Sequence, residues 1–222
     1  MPIDPFSLHW WFKTNAGLGA RVAIGVSIFA ILGTIDLVRN GRAAQRWREY
    51  AFLLLATGAG IAYGIANDAI TSSISWEYYF YGKGLVEVMP PNTPPDAGAL
   101  RLGAMLIGLK AGGSAGIVIG ALLLIANNPR AGRRRLTFHR LAAYLAHIFA
   151  ATIVCSILLG AAGAMGWLLW TSQDLADMWK LGDMRPSRFL LVYGIHLGAY
   201  VGGAVGTTFA LLRIARARRI GI

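Results

Sequence analysis

Five long apolar segments, separated by short polar stretches, dominate the chain. They lie near residues 22–38, 51–71, 102–126, 141–170 and 189–212. Each has close to, or more than, the roughly 20 apolar residues that a helix needs to cross the hydrocarbon core of a membrane. The pattern therefore predicts an all-α, polytopic integral membrane protein with five transmembrane helices.

The connections between these segments carry helix-breaking and helix-capping signals. The proline-rich stretch 90–95 excludes a helix before the third segment, and Asp96 is placed to cap that segment's first turn. Asn127-Asn128-Pro129 predicts its end, and Pro186 predicts the start of the fifth segment. Since no connection is long enough to bury a core of its own, we expect one membrane domain over residues 1–222.

Arginine is concentrated in every second connection, which predicts the orientation of the chain. The arginine-rich stretches 39–48, 130–140 and 213–219 follow the first, third and fifth segments. The alternate connections carry acidic residues, namely Glu77, Glu87, Asp96, Asp174, Asp177 and Asp183. Because positive charge is retained on the cytoplasmic side, we expect the N-terminus outside and the C-terminus in the cytoplasm.

Composition supports a membrane protein and limits its partners. Hydrophobic residues make up 56% of the chain and charged residues 14%, while the net charge is +11. A charge of this size suggests nucleic-acid binding, but its distribution fits membrane topology and contact with anionic lipids at the cytoplasmic arginines. We therefore expect a multi-pass protein of the bacterial inner membrane, present as a homo-oligomer or as a subunit of a membrane complex, with no nucleic-acid partner.

Two rows of glycine recur at every fourth residue, one in the third segment and one in the fifth. They are Gly108, Gly112, Gly116 and Gly120, and Gly194, Gly198, Gly202 and Gly206. Each row forms a flat ridge, and close backbone approach at such ridges drives the association of transmembrane helices. The alternative is that the ridges line a narrow pathway for a ligand.

The two glycine rows align with each other at an offset of 86 residues. This alignment suggests a parallel repeat of two hairpins, residues 51–126 and 141–212, with the first segment as an addition. It also places Lys110 in register with His196, each about 200° around its helix from the ridge and roughly 12 Å from the outer end.

An ionisable side chain at that depth marks a functional site unless it finds a partner or water. Two structural alternatives stay open: a neutral His196 hydrogen-bonded to a neighbouring helix, and a Lys110 side chain that extends outward to the membrane surface. Asn67 and Asp68 close the second segment, and the aromatic stretch 76–81 follows. The predicted ligand- or ion-binding set comprises Asp68, Glu77, Lys110, His196, Asn67, Tyr78 and Tyr200. The alternative is a salt-bridge network that holds three helices together.

The stretch 63–71, with Glu77-Tyr78-Tyr79 following, resembles a motif in a group of bacterial polytopic membrane proteins. In that group His-Asp-Gln precedes a Val or Ile and a Thr, Glu-Tyr-Phe follows at the same spacing, and the last helix carries a His and a Tyr, as His196 and Tyr200 do here. The similarity covers about residues 59–219. Asn67 and Ala69 stand in place of the group's His and Gln, which puts in doubt any role that needs that imidazole, such as metal ligation. No activity is attached to the group, so the resemblance implies a set of residues and no ligand.

Two functions from different classes fit these residues. One is a small transporter, channel or ligand-binding protein, in which the polar cluster binds a cation, a proton or a small polar ligand. The other is a non-catalytic subunit whose glycine ridges pack against partner helices. A membrane enzyme is a third possibility, but we name no catalytic residue because the hydrolase, metalloprotease and phosphate-binding motifs are absent. No motif indicates a cofactor, and metal binding is left open.

Overall fold

The computed structural model describes residues 15–87, 89, 95–128, 135–168, 171, 173–175 and 185–220. In these residues we find helices and turns and no strand. The long helices are α1 (Asn15–Asn40), α2 (Arg46–Ile74), α3 (Ala97–Ala126), α4 (Phe138–Ala164) and α5 (Pro186–Ile220). Asp177, Asp183 and residues 130–134 of the second arginine-rich stretch lie outside the described residues.

All five long helices have the length and apolar composition required to cross a membrane. Their apolar stretches span 27 to 34 residues, and the longest includes most of α5. The prediction of an all-α chain with five candidate membrane-spanning helices is therefore confirmed, while its orientation in a membrane stays a prediction.

The fourth helix is shorter than the apolar pattern predicts. The expected segment reached Trp170, whereas α4 ends at Ala164. The peptide N–H of Trp167 donates to the Ala162 carbonyl at 2.9 Å, and that of Gly166 donates to Gly163 at 3.0 Å. Gly166 has a φ of 72°, so it supplies the left-handed residue that this helix-ending motif requires. Trp170 itself lies outside the described residues.

The predicted boundaries of α3 and the start of α5 agree with the structure. The Asp96 carboxylate accepts a hydrogen bond from the Ala99 N–H at 2.7 Å, which caps α3 as expected. The helix ends at Ala126, immediately before Asn127, and α5 begins at Pro186. Asn127 adds an unpredicted link, because its side-chain amide pairs with both backbone groups of Leu136.

The chain divides into two compact units, residues 1–52 and 53–222, which we describe separately. In the first unit, α1 and the start of α2 pack through the stacked rings of Phe29 and Tyr50, 5.2 Å apart. Asp36 is buried between them and accepts hydrogen bonds from the Asn40 side chain and the Arg46 N–H, each at 2.8 Å. The carboxylate thus satisfies an N–H at the start of α2, where backbone donors lack helical partners.

In the second unit, each glycine row packs against the preceding helix of its own hairpin. A Cβ atom added at Gly112 would meet the Gly60 carbonyl of α2, and one at Gly198 would meet the Cys155 carbonyl of α4. The other members of both rows make equivalent contacts with backbone or side-chain atoms of the same two helices. Only glycine fits where two backbones approach this closely.

The contacts of the two rows also share one register. Gly108 faces Gly64 and Gly194 faces Leu159, while Gly116 faces Thr57 and Gly202 faces Thr152. The glycines of α3 and α5 correspond at an offset of 86 residues. The residues that they contact, in α2 and α4 respectively, are also related to each other by one constant offset. The two hairpins therefore share a packing register, while the predicted repeat of their sequences stays a prediction.

At the arginine-rich end of the second unit, Arg218 ties α5 to the end of α3. Its guanidinium donates to the carbonyl oxygens of Ala126 and Asn128. Carbonyl groups in the last turn of a helix lack helical donors, and a cation there also interacts favourably with the helix dipole. The opposite end of the unit, where α2 ends and α3 begins, carries the candidate site.

Candidate functional site

A short π-helical turn, Tyr78–Gly82, follows α2 and carries three buried aromatic residues. Tyr78, Tyr79 and Phe80 are each at most 5% exposed. They belong to a core with Leu100 and Phe189 that covers the start of α3 and of α5. Isolated π-helical turns occur often at functional sites. Here the turn directs two adjacent phenol rings toward α5.

His196 of α5 lies between these two rings. The Tyr78 ring stacks on the imidazole with centroids 4.9 Å apart and an interplanar angle of 18°. The Tyr79 ring meets it edge-on, and the Tyr79 hydroxyl oxygen lies 3.0 Å from Nε2. His196 is buried, with 7% of its surface exposed. The stacking and the hydrogen bond together fix the orientation of the imidazole.

The hydrogen bonds around Tyr79 indicate which imidazole nitrogen carries a proton. The Thr71 hydroxyl donates to the Asn67 carbonyl oxygen at 2.7 Å and lies 2.6 Å from the Tyr79 oxygen. With the Thr71 proton on the Asn67 carbonyl, we infer that Tyr79 donates to Thr71 and accepts from Nε2 of His196. This order places the proton on Nε2 and leaves Nδ1 to accept a further proton.

Asp68 of α2 faces the same imidazole. Its Oδ1 atom lies 3.8 Å from Nε2 of His196 and accepts a hydrogen bond from the Asn67 side-chain amide at 3.1 Å. The residue is 3% exposed. A Cβ atom at Gly108 would lie 3.0 Å from its Cγ atom, so the glycine row of α3 also provides the space for this carboxyl group.

Asp68 and His196 line a partly open cavity of about 110 Å³ that is bordered by α2, α3, α4 and α5. Its polar lining comprises Asp68, His196, Asn67, Lys83, Tyr63, Tyr200 and Thr152. The remaining wall consists mainly of glycine, alanine, leucine and isoleucine, including Gly60, Gly64, Gly108, Gly112 and Gly116. Such a volume holds several water molecules or a small ligand, since one water molecule needs about 15 Å³ of cavity volume.

Burial also sets the protonation of the two phenols. It raises the pKa of Tyr78 and of Tyr79 well above the usual value for a tyrosine. The nearby Asp68 carboxylate raises the pKa of both further, because a second negative charge beside it is unfavourable. Both phenols therefore remain protonated at neutral pH, as the donation from Tyr79 to Thr71 requires.

Glu77 does not lie with Asp68 in this cavity. Its carboxylate accepts hydrogen bonds from the Ser75 hydroxyl at 2.8 Å and from the Arg185 N–H at 3.4 Å. It is 2% exposed and joins the end of α2 to the residue before α5. The sequence placed both acids in one cluster, but the structure gives Glu77 a separate, local role in holding the connection.

Lys110 is likewise not brought to the site. It is exposed on α3 and does not line the cavity. Lys110 lies about 20 Å along α3 from Ala97, and His196 lies about 15 Å along α5 from Pro186. The equal membrane depth expected for the two residues stays a prediction. The lysine that lines the cavity is Lys83, whose Nζ atom lies 5.4 Å from the Tyr78 ring centroid.

The remaining predicted residues do meet in the structure. Asn67 contacts Asp68, Tyr78 stacks on His196, and Tyr200 lines the cavity while 60% exposed. Sequence reasoning missed Tyr79, Thr71, Lys83 and Tyr63. Tyr79 was visible in the aromatic stretch, but the spacing of apolar residues does not predict the π-helical turn that directs its ring toward His196.

The described residues contain no group of three or more His, Cys, Asp or Glu side chains that could hold a metal ion. Asp68 and His196 form a pair, whereas Cys155 and Glu77 do not line the cavity that this pair occupies. The Asp68–His196 pair can take part in hydrogen bonding and proton exchange and can attract a small cation. No protein-family model, curated protein or solved structure matches this chain.

Proposed function

We propose that this is a small bacterial inner-membrane protein that binds a small cation in the cavity at Asp68 and His196 and transports or conducts it. The cation is a proton, an alkali-metal ion or a small ammonium ion. In the orientation set by the arginine-rich stretches, the site lies in the outer half of the membrane. The supporting observation is a buried carboxyl group that lines a cavity and forms no ion pair with a lysine or arginine of the described residues.

Within the described part of the chain, the one basic side chain within 4 Å of Asp68 is His196. The separation of 3.8 Å is too long for a hydrogen bond, and the Nε2 proton is shared with Tyr79. An ionised carboxylate removed from water costs several kcal/mol unless a cation or hydrogen bonds compensate it. The Asn67 amide donates to it, and the Tyr79 hydroxyl and the Lys83 ammonium lie near enough to stabilise it as well. This compensation is partial, and a bound proton or cation adds to it.

Aromatic rings around the cavity favour a cation over an anion. Tyr63 and Tyr200 line it, and the face of Tyr78 already attracts the Lys83 ammonium. Such faces bind cations more strongly as water is removed. Lys83 is half-buried and lines the same cavity, whereas Tyr78 is not one of the residues of its wall.

The first unit gives some support to a role as an accessory subunit. Only 6% of the apolar window of α1 is buried within the structure, against 44% for α5. A helix of this kind is covered by lipid or by helices of a partner protein. In that case the Asp68–His196 pair would serve assembly, and no soluble ion would bind to it.

A thermal-unfolding screen of the detergent-purified protein against monovalent and divalent cations and methylammonium, over a range of pH, tests the proposal. A ligand that binds only the folded form, at about 100 times its Kd, stabilises it by about 2.7 kcal/mol. We expect one cation to raise the midpoint of the wild type and of Glu77→Gln, and to have no effect on Asp68→Asn.

Glu77→Gln is a matched control because it neutralises an equally buried acid outside the cavity. A cation response that is equal in all three proteins would place the binding elsewhere. No response of the wild type to any cation or to pH would contradict the proposal and favour the accessory subunit.

A further inference from the structure

A second, larger groove lies beside the polar cavity in the same helices. It has a volume of about 500 Å³ and is bordered by α2, α4 and α5. This is within the range of about 300–1,000 Å³ typical of small-molecule sites. Its wall is mainly apolar and includes Ala66, Ile70, Ile153, Ile157, Leu191 and Ile195.

The groove opens to the side of the helix bundle rather than to one end. Ile70 and Ile157 on its border are 64% and 65% exposed, respectively, although both lie within apolar helices. Along α2 the groove reaches from Tyr63 to Thr71, which is about 12 Å along the helix axis. In a membrane, this elongated apolar opening faces the hydrocarbon chains of the lipid.

The groove and the polar cavity share two wall residues, Tyr63 and Asn67. The Asn67 amide donates to Asp68, and the Tyr63 hydroxyl lies 3.3 Å from that of Ser156 across the boundary with α4. The 3.3 Å contact is a long and therefore weak hydrogen bond between hydroxyls, so a small ligand can displace it at little cost.

We propose that the ligand of this site is a membrane-borne aliphatic amine, with its ammonium group at Asp68 and its hydrocarbon chain in the groove. This inference rests on the proposed cation site and names its substrate class. The carboxylate and the tyrosine faces match an ammonium head, while the apolar groove matches a chain. Such a ligand enters sideways from the bilayer, past Tyr63, and needs no opening to water.

Photolabelling in phosphatidylcholine nanodiscs tests this. The probe is dodecylamine with a diazirine near the end of its chain, and labelled peptides are mapped after irradiation. We expect labelling of the α2, α4 and α5 segments that line the groove. Excess dodecylamine should compete with the probe at least about tenfold better than dodecanol, since one charge-assisted hydrogen bond contributes about 1.5–3 kcal/mol.

Two alanines on α2 provide matched variants. Ala66 lines the groove and Ala62 does not, and both are exposed on the same helix. Ala66→Phe should reduce groove labelling several-fold, whereas Ala62→Phe should leave it unchanged. Asp68→Asn should reduce it as well, because the ammonium group loses its partner.

The outcomes separate this inference from the proposed function. Equal labelling of the two phenylalanine variants, or equal competition by dodecanol, would overturn the amine-and-chain ligand, even if methylammonium still stabilises the wild type. If neither dodecylamine nor any small cation binds, the cation site itself is wrong and the inference falls with it. The unfolding midpoint of each variant shows whether it is folded.

Discussion

The hairpins α2–α3 and α4–α5 have the same glycine contacts but differ at the positions that form the site. In the common register, Asp68 of the first hairpin corresponds to Gly163 of the second, and Lys110 corresponds to His196. Gly163 packs against the backbone of Leu190, whereas Asp68 faces a cavity. The candidate site therefore brings together Asp68 of the first hairpin and His196 of the second, each of which is replaced by a different residue in the other hairpin.

Lys110 and His196 show that the same register can lead to opposite environments. Both point away from the glycine row of their helix, by about 200°. Behind α5 lie the π-helical turn and α2, so His196 is buried at 7% exposure. Lys110, on the corresponding side of α3, is exposed. The glycine rows hold the two helices of each hairpin together. The elements that pack against the opposite side of α3 or α5 determine whether the ionisable residue there is buried in a site.

The largest effect is expected from filling the glycine contacts, which should affect both hairpins equally. Gly112→Leu and Gly198→Leu each force a side chain into the backbone of the neighbouring helix. We expect each to lower the free energy of unfolding by about 3 kcal/mol or more. Gly58→Leu is the control, because no atom lies within 4 Å of the added Cβ. Thermal unfolding in detergent measures all three, and tolerance of either substitution would refute the shared framework.

Replacing the two register-equivalent ionisable residues should give very different results. His196→Ala removes a ring stacked on Tyr78 and leaves the Tyr79 oxygen without its donor, so we expect a loss of about 2 to 3 kcal/mol. Lys110→Ala, at an exposed position, should change stability by less than about 0.5 kcal/mol. Chemical denaturation of both variants measures this difference, and similar losses would contradict the comparison.

A smaller difference is expected between the two adjacent tyrosines of the π-helical turn. Tyr79→Phe removes the hydroxyl that links Thr71 to His196 and should cost about 1 to 2 kcal/mol. Tyr78→Phe keeps the ring stacked on the imidazole and should cost less than about 0.5 kcal/mol. Unfolding midpoints under identical conditions measure both, and the reverse ranking would show that Tyr79 is not the central hydrogen-bonding residue.

The last prediction concerns stability at alkaline pH. The pKa values of Tyr78 and Tyr79 are higher in the folded protein than in the unfolded chain, where tyrosine titrates near 10. Above that pH the unfolded state loses protons that the folded state keeps, so stability falls as pH rises. We expect a loss of about 1 kcal/mol per tyrosine between pH 10 and pH 11, and a smaller loss in the double variant Tyr78→Phe/Tyr79→Phe. If stability fell equally steeply with pH in the wild type and the double variant, the raised pKa values of Tyr78 and Tyr79 would be contradicted.

The sequence predicts the helices well because their signals are local. Apolar length, Asp96 before α3 and Pro186 at the start of α5 each act within a few residues of the boundary that they set. The error at the end of α4 arose because apolar residues continue beyond Gly166, where a left-handed glycine ends the helix. The glycine rows were visible as a pattern, but their partner helices required the structure.

The site was predicted in part. Asp68, Asn67, Tyr78, His196 and Tyr200 were found because polar residues within apolar segments are conspicuous. Lys110 and Glu77 were equally conspicuous, and the chain gives no local indication of which face of α3 is covered or which acid turns toward the cavity. Tyr79 lies in the π-helical turn and Lys83 directly follows it, and the geometry of this turn depends on packing against α5.

The most direct test of the central claim, that the site joins Asp68 to His196 and excludes Lys110, is calorimetric titration of the cation that stabilises the wild type. We expect Lys110→Ala to bind it with the wild-type Kd and Asp68→Asn to bind it at least about tenfold more weakly, a difference of about 1.4 kcal/mol. Wild-type affinity in Asp68→Asn, or an equal loss in Lys110→Ala, would contradict the account.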